Sequence, residues 1–149
     1  MLKSWMVVAG VAFAIAMLSN IIRPADVKWF RRLERPSWLT FEKLIPVIWT
    51  VVFVCGGWSA YITWEATQSW VWMSAYILLE VVTIAFTPVL FWSHSLKLAS
   101  VIGGVGFAIA LVLALGALEV SAWAAVLLIP YLLWSPIGTI TTWEMSKIN

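Results

Sequence analysis

Apolar residues fill five stretches of the chain, and each is long enough to cross a lipid bilayer as an α-helix, which takes about 20 residues. These stretches are Trp5–Ile22, Leu44–Trp64, Trp70–Trp92, Leu98–Leu118 and Ala122–Trp143. The first also has features of a secretory signal peptide. Its apolar run exceeds the usual length of about 7–15 residues, so we interpret it as a retained span. The pattern predicts an all-α integral membrane protein, a bundle of five transmembrane helices, with a single domain over residues 1–149.

The composition supports a lipid-facing surface. Of the 149 residues, 63% are hydrophobic and only 11% are charged, whereas about a quarter of the residues of a soluble domain are charged. So few charges cannot cover a surface that faces water. The net charge of +2 also argues against nucleic acid as a partner, because a phosphate-binding face needs clustered Lys and Arg.

One connection between the spans is long and basic, whereas the others are short. This basic loop, residues 23–43, holds six of the nine Lys and Arg residues: Arg23, Lys28, Arg31, Arg32, Arg35 and Lys43. With five spans, Lys97 and Lys147 fall on the same side of the membrane as the loop, and Lys3 falls on the other. The positive-inside rule therefore predicts that the basic loop and the C-terminus are cytoplasmic and that the N-terminus is outside.

Polar side chains recur at helical spacing within two of the spans. The third span carries Tyr76, Glu80, Thr83 and Thr87, and the fifth carries Tyr131, Ser135, Thr139, Thr142 and Ser146. Two such stripes can line a shared cavity, or they can hold two helices together through hydrogen bonds. Glu80 lies near the middle of its span, where a carboxyl group is costly, so we predict that it contacts a ligand or carries a proton.

Small, aromatic and proline residues mark three further features. One face of the second span carries Trp49, Phe53, Gly56, Ala60 and Trp64, and the glycine leaves room for a flat apolar molecule or a close helix. The fourth span carries a row of small residues, Gly106, Ala110 and Ala114. This row suits a close helix contact, either within the molecule or between two subunits. We expect helices to be bent or interrupted at Pro88, Pro130 and Pro136.

Residues suited to catalysis or metal binding are scarce. His94 and Cys55 are the only histidine and cysteine, so the chain offers neither a nucleophile–base set nor a pair of metal ligands. We interpret His94 as a solvated residue near the membrane interface and Cys55 as a small buried hydrophobe. The sequence predicts no catalytic residue, no metal site and no obligatory cofactor, and it favours binding over catalysis.

Three ordered motifs carry a resemblance to a known family. They are Trp29–Trp38 followed by Pro46–Thr50, then Phe86–Phe91, then Trp123 with Pro130–Trp134. In spacing, length and a content of 12 Trp residues, the chain resembles the TspO/MBR family of tryptophan-rich membrane proteins. The resemblance covers essentially the whole chain.

This resemblance implies a five-helix bundle, commonly a homodimer, that binds porphyrins, haem or bilins and, in some members, sterols. The implied role is the sensing, transport or turnover of a tetrapyrrole. By motif position, the pocket residues would be Trp38, Trp49, Thr83, Phe86, Trp134, Gly138 and Thr141. The polar and aromatic faces described above add Phe53, Glu80 and Tyr131. The arginines of the loop would meet either the propionates of the ligand or anionic lipid head groups, and they are Arg31, Arg32 and Arg35.

Two other functions fit the same residues. One is light-dependent degradation of porphyrin through Trp49 and Trp134, which the resemblance also implies for some relatives. The other is a structural or partner-binding role with a diverged pocket. Departures from the family pattern favour this last role, because Thr83 and Phe86 stand where the family has Asn and Trp.

Overall fold

The computed structural model describes residues 22–149, together with the isolated positions 3, 6 and 10. A helix in the basic loop, α1, spans Pro24–Arg32, and a 3-10 turn at Glu42–Leu44 leads into α2, Ile45–Thr67. The remaining helices are α3 (Trp70–Ser93), α4 (Leu96–Val120), α5 (Ala122–Leu127) and α6 (Ile129–Ile148). The first predicted span, Trp5–Ile22, lies outside the described residues apart from Met6, Gly10 and Ile22.

Within the described part, four segments are long and apolar enough to cross a membrane: Glu42–Thr67, Trp70–Ser93, Leu96–Val120 and Ala122–Ile148. In the most apolar window of each, at most 39% of the residues are buried inside the protein. Many large apolar side chains of these segments are exposed, which suits a surface that faces lipid. The prediction of an all-α integral membrane protein is confirmed, and no strand occurs between residues 22 and 149.

Proline interrupts the last span but not the third. The chain breaks its helical run at Leu128, and Pro130 then occupies the first turn of α6, where the missing N–H costs nothing. Pro88 and Pro136 lie inside α3 and α6, which continue through them. The last span is therefore two helices, α5 and α6, rather than one.

The row of small residues on α4 packs inside the molecule. Gly106, Ala110 and Ala114 are all buried, and a Cβ atom on Gly106 would lie 2.6 Å from the hydroxyl oxygen of Tyr131 on α6. That hydroxyl is 2.8 Å from Thr83 Oγ1 on α3. Of the two alternatives that the sequence left open, the structure selects an intramolecular seam, in which α4 approaches closely enough for Tyr131 to reach α3.

A second group of hydroxyls joins α2, α3 and α5. The Tyr76 hydroxyl lies 2.7 Å from Ser59 Oγ and 3.0 Å from Thr63 Oγ1. Ser59 donates its proton to the carbonyl oxygen of Ala124 at 2.6 Å, so Tyr76 donates to Ser59. With no water available in hydrocarbon, such hydroxyls need protein partners, and the Tyr76 hydroxyl therefore connects helices.

The basic loop is docked onto the turn between α3 and α4 through a buried carboxylate. The Asp26 side chain is 2% exposed, and it accepts hydrogen bonds from Arg23 Nε at 2.9 Å and from His94 Nε2 at 2.9 Å. The indole of Trp29 stacks on the His94 ring, with centroids 4.3 Å apart. His94 is solvated as predicted, since its side chain is 44% exposed, and its ring is in addition a partner of Asp26. The bond from Arg23, followed by that from His94, lowers the pKa of Asp26.

Two further contacts fold the loop over the bundle. The side-chain amide of Asn149 accepts from the backbone N–H of Glu34 at 2.8 Å and donates to its carbonyl oxygen at 3.1 Å. Arg35 donates to the carboxylate of Glu42 at 3.3 Å and to the carbonyl oxygen of Phe30 at 2.9 Å. The loop is thus held both to itself and to the end of α6.

We expect Gly106→Ala to destabilise the protein, because its new Cβ would push the Tyr131 hydroxyl away from Thr83. Losing a hydrogen bond within a membrane costs roughly 0.6 to 2 kcal/mol. The matched control is Gly104→Ala on the same helix, where a Cβ meets no atom of the described residues within 4 Å and the helix gains propensity. Unfolding in detergent measures both variants, and equal stabilities would contradict the seam.

The Asp26 site predicts a specific dependence on pH. The pKa of Asp26 is lowered in the folded protein. Its contribution to the free energy of unfolding is therefore complete above the ordinary pKa of an Asp, and it is lost as pH falls through the folded pKa. Asp26→Asn should therefore lower the thermal midpoint at neutral pH, and its difference from wild type should shrink below about pH 4. Glu119→Gln, at an exposed carboxylate, should match wild type, and a constant Asp26→Asn difference across pH would contradict this assignment.

Candidate functional site

A cavity of about 330 Å³ lies beneath the basic loop, between α2, α3, α4 and α6. Ligand sites for small molecules usually measure about 300–1,000 Å³ and are mostly apolar with a few polar groups. Its aromatic residues come from the loop and from three helices: Phe30, Trp49, Phe86, Tyr131 and Trp134. The described wall contains no His or Cys, and Met145 supplies its one sulfur atom.

Most of the predicted site residues lie on the wall of this cavity. Eight of the thirteen are there: Arg35, Trp49, Thr83, Phe86, Tyr131, Trp134, Gly138 and Thr141. Residues of α3 and α6 meet at the cavity because both helices pack against α4, and the Thr83–Tyr131 hydrogen bond joins them directly. Pro46 and Trp49 belong to the first turns of α2. The structure therefore brings these residues to one cavity, and their role in ligand binding stays a prediction.

Trp38 lies one aromatic ring away from the cavity. Its side chain is 44% exposed, and its ring centroid is 6.4 Å from that of Phe41. Phe41 in turn meets the edge of Trp134 at 6.1 Å. This row of three rings runs from the surface of the loop to the cavity wall.

The other four predicted residues lie elsewhere. Phe53 and Glu80 line a separate crevice of about 40 Å³ between α2, α3 and α6. Arg31 and Arg32 are exposed in the last turn of α1 and do not line the cavity. Thr83 and Tyr131 line both the cavity and the crevice, so their hydrogen-bonded pair is the partition between the two spaces.

Arg35 forms part of the roof of the cavity, and its charge already has partners. Its guanidinium pairs with Glu42 at 3.3 Å, donates to backbone carbonyl oxygens and lies 4.7 Å from the centroid of the Phe30 ring. Guanidinium groups bind carboxylates well, but here a carboxylate of the same loop fills that role. Arg31 and Arg32 are the cations of this cluster that remain exposed.

Two buried donors on the cavity wall lack a partner among the described residues: Trp134 Nε1 and Thr139 Oγ1. Trp134 is 7% exposed, and a Cβ atom at Gly138 would lie 3.9 Å from its Nε1 atom. A glycine at this position therefore leaves space beside the indole N–H. An indole can only donate, and leaving a buried donor unpaired costs about 1–3 kcal/mol. Each of the two atoms has less than 1 Å² of accessible surface, so a ligand oxygen would reach either of them only after a neighbouring side chain moved.

Sequence reasoning missed several residues of the wall. Ser135, Thr139 and Thr142 belong to the polar stripe of the fifth span, which pointed to a cavity without naming them as site residues. The residues from α4, Ile102 and Gly103, carry no such signal. They reach the cavity because the seam of small residues brings α4 against α6.

Comparison with known proteins agrees with the fold. The sequence profile of the TspO/MBR family matches residues 6–148. A tryptophan-rich protein TspO of Bacillus cereus is 29% identical over 154 residues, covering 100% of this chain and 99% of that relative. An uncharacterized membrane protein, YtaB of Bacillus subtilis, is 27% identical over 144 residues, covering 93% and 92%. The motifs, the membrane-spanning helices and a profile match over nearly the whole length lead to one conclusion: this chain belongs to the TspO/MBR family.

Proposed function

We propose that this protein is a membrane receptor that binds a tetrapyrrole in the cavity beneath the basic loop and acts in its sensing, transport or turnover. The observation that carries the proposal is the wall of this cavity. It is apolar and aromatic, and it has a buried indole donor, Trp134 Nε1, without a partner in the described part of the chain. Membership of the TspO/MBR family supports the proposal.

The aromatic rings of the wall suit a flat conjugated ligand. Trp49 meets Tyr131 edge to face, with centroids 6.5 Å apart and an interplanar angle of 76°. The edge-to-face contact fixes the orientation of these two rings relative to each other. The ring surfaces that this contact does not cover would then form a rigid part of the cavity wall. A macrocycle or an opened tetrapyrrole offers the large π-surface that such a wall would contact.

The polar groups suit the oxygen atoms of the same ligand class. Trp134 Nε1 and Thr139 Oγ1 would donate to a carbonyl or carboxylate oxygen of a ligand that displaces the side chains covering them. Arg31 and Arg32, exposed on α1, would meet a propionate that leaves the cavity under the loop, since guanidinium groups pair with carboxylates. Binding would thus combine ring contacts inside the bundle with charge contacts at its edge.

The proposal also keeps the predicted orientation. Eight of the nine basic residues lie in the basic loop, after α3 or near the end of α6, and positive charge is retained on the cytoplasmic side. The cavity would then open toward the cytoplasm, where the arginines of α1 meet the ligand.

We predict that Trp134→Phe weakens tetrapyrrole binding by about five- to tenfold, the effect of losing roughly 1 to 1.4 kcal/mol of hydrogen bonding. Purified protein in detergent would be titrated with haemin, protoporphyrin and biliverdin, and the absorption of each ligand would be followed. Trp123→Phe is the matched control, because Trp123 is 70% exposed and lies outside the cavity.

Each outcome of these titrations has a different consequence for the proposed site. Saturable binding that weakens in Trp134→Phe and is unchanged in Trp123→Phe would support the proposed site. No saturable binding of any of the three ligands to folded wild-type protein would overturn the function. Equal affinities in wild type and both variants would mean that the ligand binds in another part of the molecule.

A further inference from the structure

A small crevice lies behind the partition formed by Thr83 and Tyr131. Its volume is about 40 Å³, and its walls include Phe53, Gly56, Tyr76 and Glu80. Gly56 borders open space within the described part of the chain, because a Cβ atom built on it would meet no atom there within 4 Å. A space of this size has room for a few atoms but not for an aromatic ring, since about 10–15 Å³ on this measure already holds one water molecule.

Glu80 is the polar residue of this crevice that has no partner in the part of the chain that the structure describes. It is half-buried near the middle of α3, and it has no hydrogen bond or ion pair within the described residues. Its neighbours in the polar stripe differ in this respect. Tyr76 bonds Ser59 and Thr63, and Thr83 bonds Tyr131 and the carbonyl oxygen of Leu79. A carboxylate inside a membrane is costly unless it has a partner.

We propose that this crevice binds the ammonium group of a small aliphatic amine, with Glu80 as its counter-ion. A protonated amine brings both a positive charge and three N–H donors. No described residue supplies either of these to the Glu80 carboxylate. The aromatic residues of the wall, Phe53 and Tyr76, suit a cation, because ring faces attract ammonium groups. The crevice is so small that it admits only an ammonium group with a short carbon chain.

A metal ion fits this chemistry less well than an amine. Calcium takes six to eight oxygen ligands, and magnesium about six in strict octahedral geometry. Between residues 22 and 149, no three His, Cys, Asp or Glu side chains come together around Glu80 or elsewhere. A single carboxylate beside aromatic rings is instead the arrangement that recognises an organic cation.

This site goes beyond the proposed tetrapyrrole cavity and does not depend on it. The two spaces have different walls, and among the residues that the structure describes only Thr83 and Tyr131 belong to both. An amine in the crevice would contact the back of this partition. The amine experiment therefore contains no tetrapyrrole, and the failure of one proposal leaves the other standing.

The test uses two small fluorinated probes, 3,3,3-trifluoropropylamine and 3,3,3-trifluoropropanol. They have similar size and apolar character, but only the first is a cation at neutral pH. The fluorine resonance of each probe would be followed by NMR as purified wild-type protein is added in detergent, with empty micelles as the reference. We expect saturable broadening for the amine and none beyond the micelle effect for the alcohol.

Three variants locate the site. Glu80→Gln keeps the shape of the side chain but removes its charge, and Gly56→Val fills the crevice while leaving Glu80 in place. Each should weaken amine binding by about tenfold or more, equivalent to roughly 1.4 kcal/mol. Glu119→Gln, at an exposed carboxylate near the end of α4, is the matched control and should bind as wild type does. Helical circular dichroism and the thermal midpoint establish that each variant is folded.

Several results would overturn the proposal. They are an amine affinity unchanged in folded Glu80→Gln or Gly56→Val, equal binding of the alcohol and the amine, or no saturable amine binding to wild type. The last result would mean that the crevice holds only water or a proton. If Glu80→Gln fails to fold, Gly56→Val decides the outcome, because its side chain meets no neighbour at its Cβ atom within the described part of the chain.

Discussion

The hydrogen bond between Thr83 and Tyr131, 2.8 Å between their hydroxyl oxygens, is the contact on which the arrangement of the bundle depends. Both hydroxyls lie within membrane-spanning helices, where no water is available to replace a lost partner. The bond joins α3 to α6, and it forms only because Gly106 on α4 leaves space for the Tyr131 hydroxyl. Three helices thus meet at one point, and that point divides the interior into a larger cavity and a smaller crevice.

The basic loop has two kinds of charge, which serve different purposes. Asp26, Arg35 and Glu42 are paired within the loop or with the turn after α3, so they hold the roof over the cavity. Arg31 and Arg32 are exposed and can meet an anionic group of a ligand or a lipid. Asn149 adds a further hold on the loop, because its side-chain amide binds the backbone of Glu34.

The interior offers complementary chemistry on the two sides of the partition. The cavity presents unpartnered donors, Trp134 Nε1 and Thr139 Oγ1, among the described residues, and so it suits an oxygen atom of a flat ligand. The crevice presents a carboxyl group without a partner in that part of the chain, and so it suits a donor. Buried polar groups are costly when unpaired, and each space therefore points to a ligand of the opposite kind.

The sequence by itself determined the membrane class, the bounds of four spans to within a few residues, and eight residues of the cavity wall. These features are local, because they depend on apolar runs of fixed length, on helical spacing and on short motifs. Only the tertiary structure decided that Tyr76 joins helices, that the small row of α4 is an internal seam, and that Glu80 lies apart from the cavity. It also paired His94 with Asp26, 68 positions away, and Thr83 with Tyr131, 48 positions away. One helical face can meet a neighbouring helix, lipid or empty space, and periodicity along a single helix cannot distinguish these partners, because the choice depends on how the helices cross.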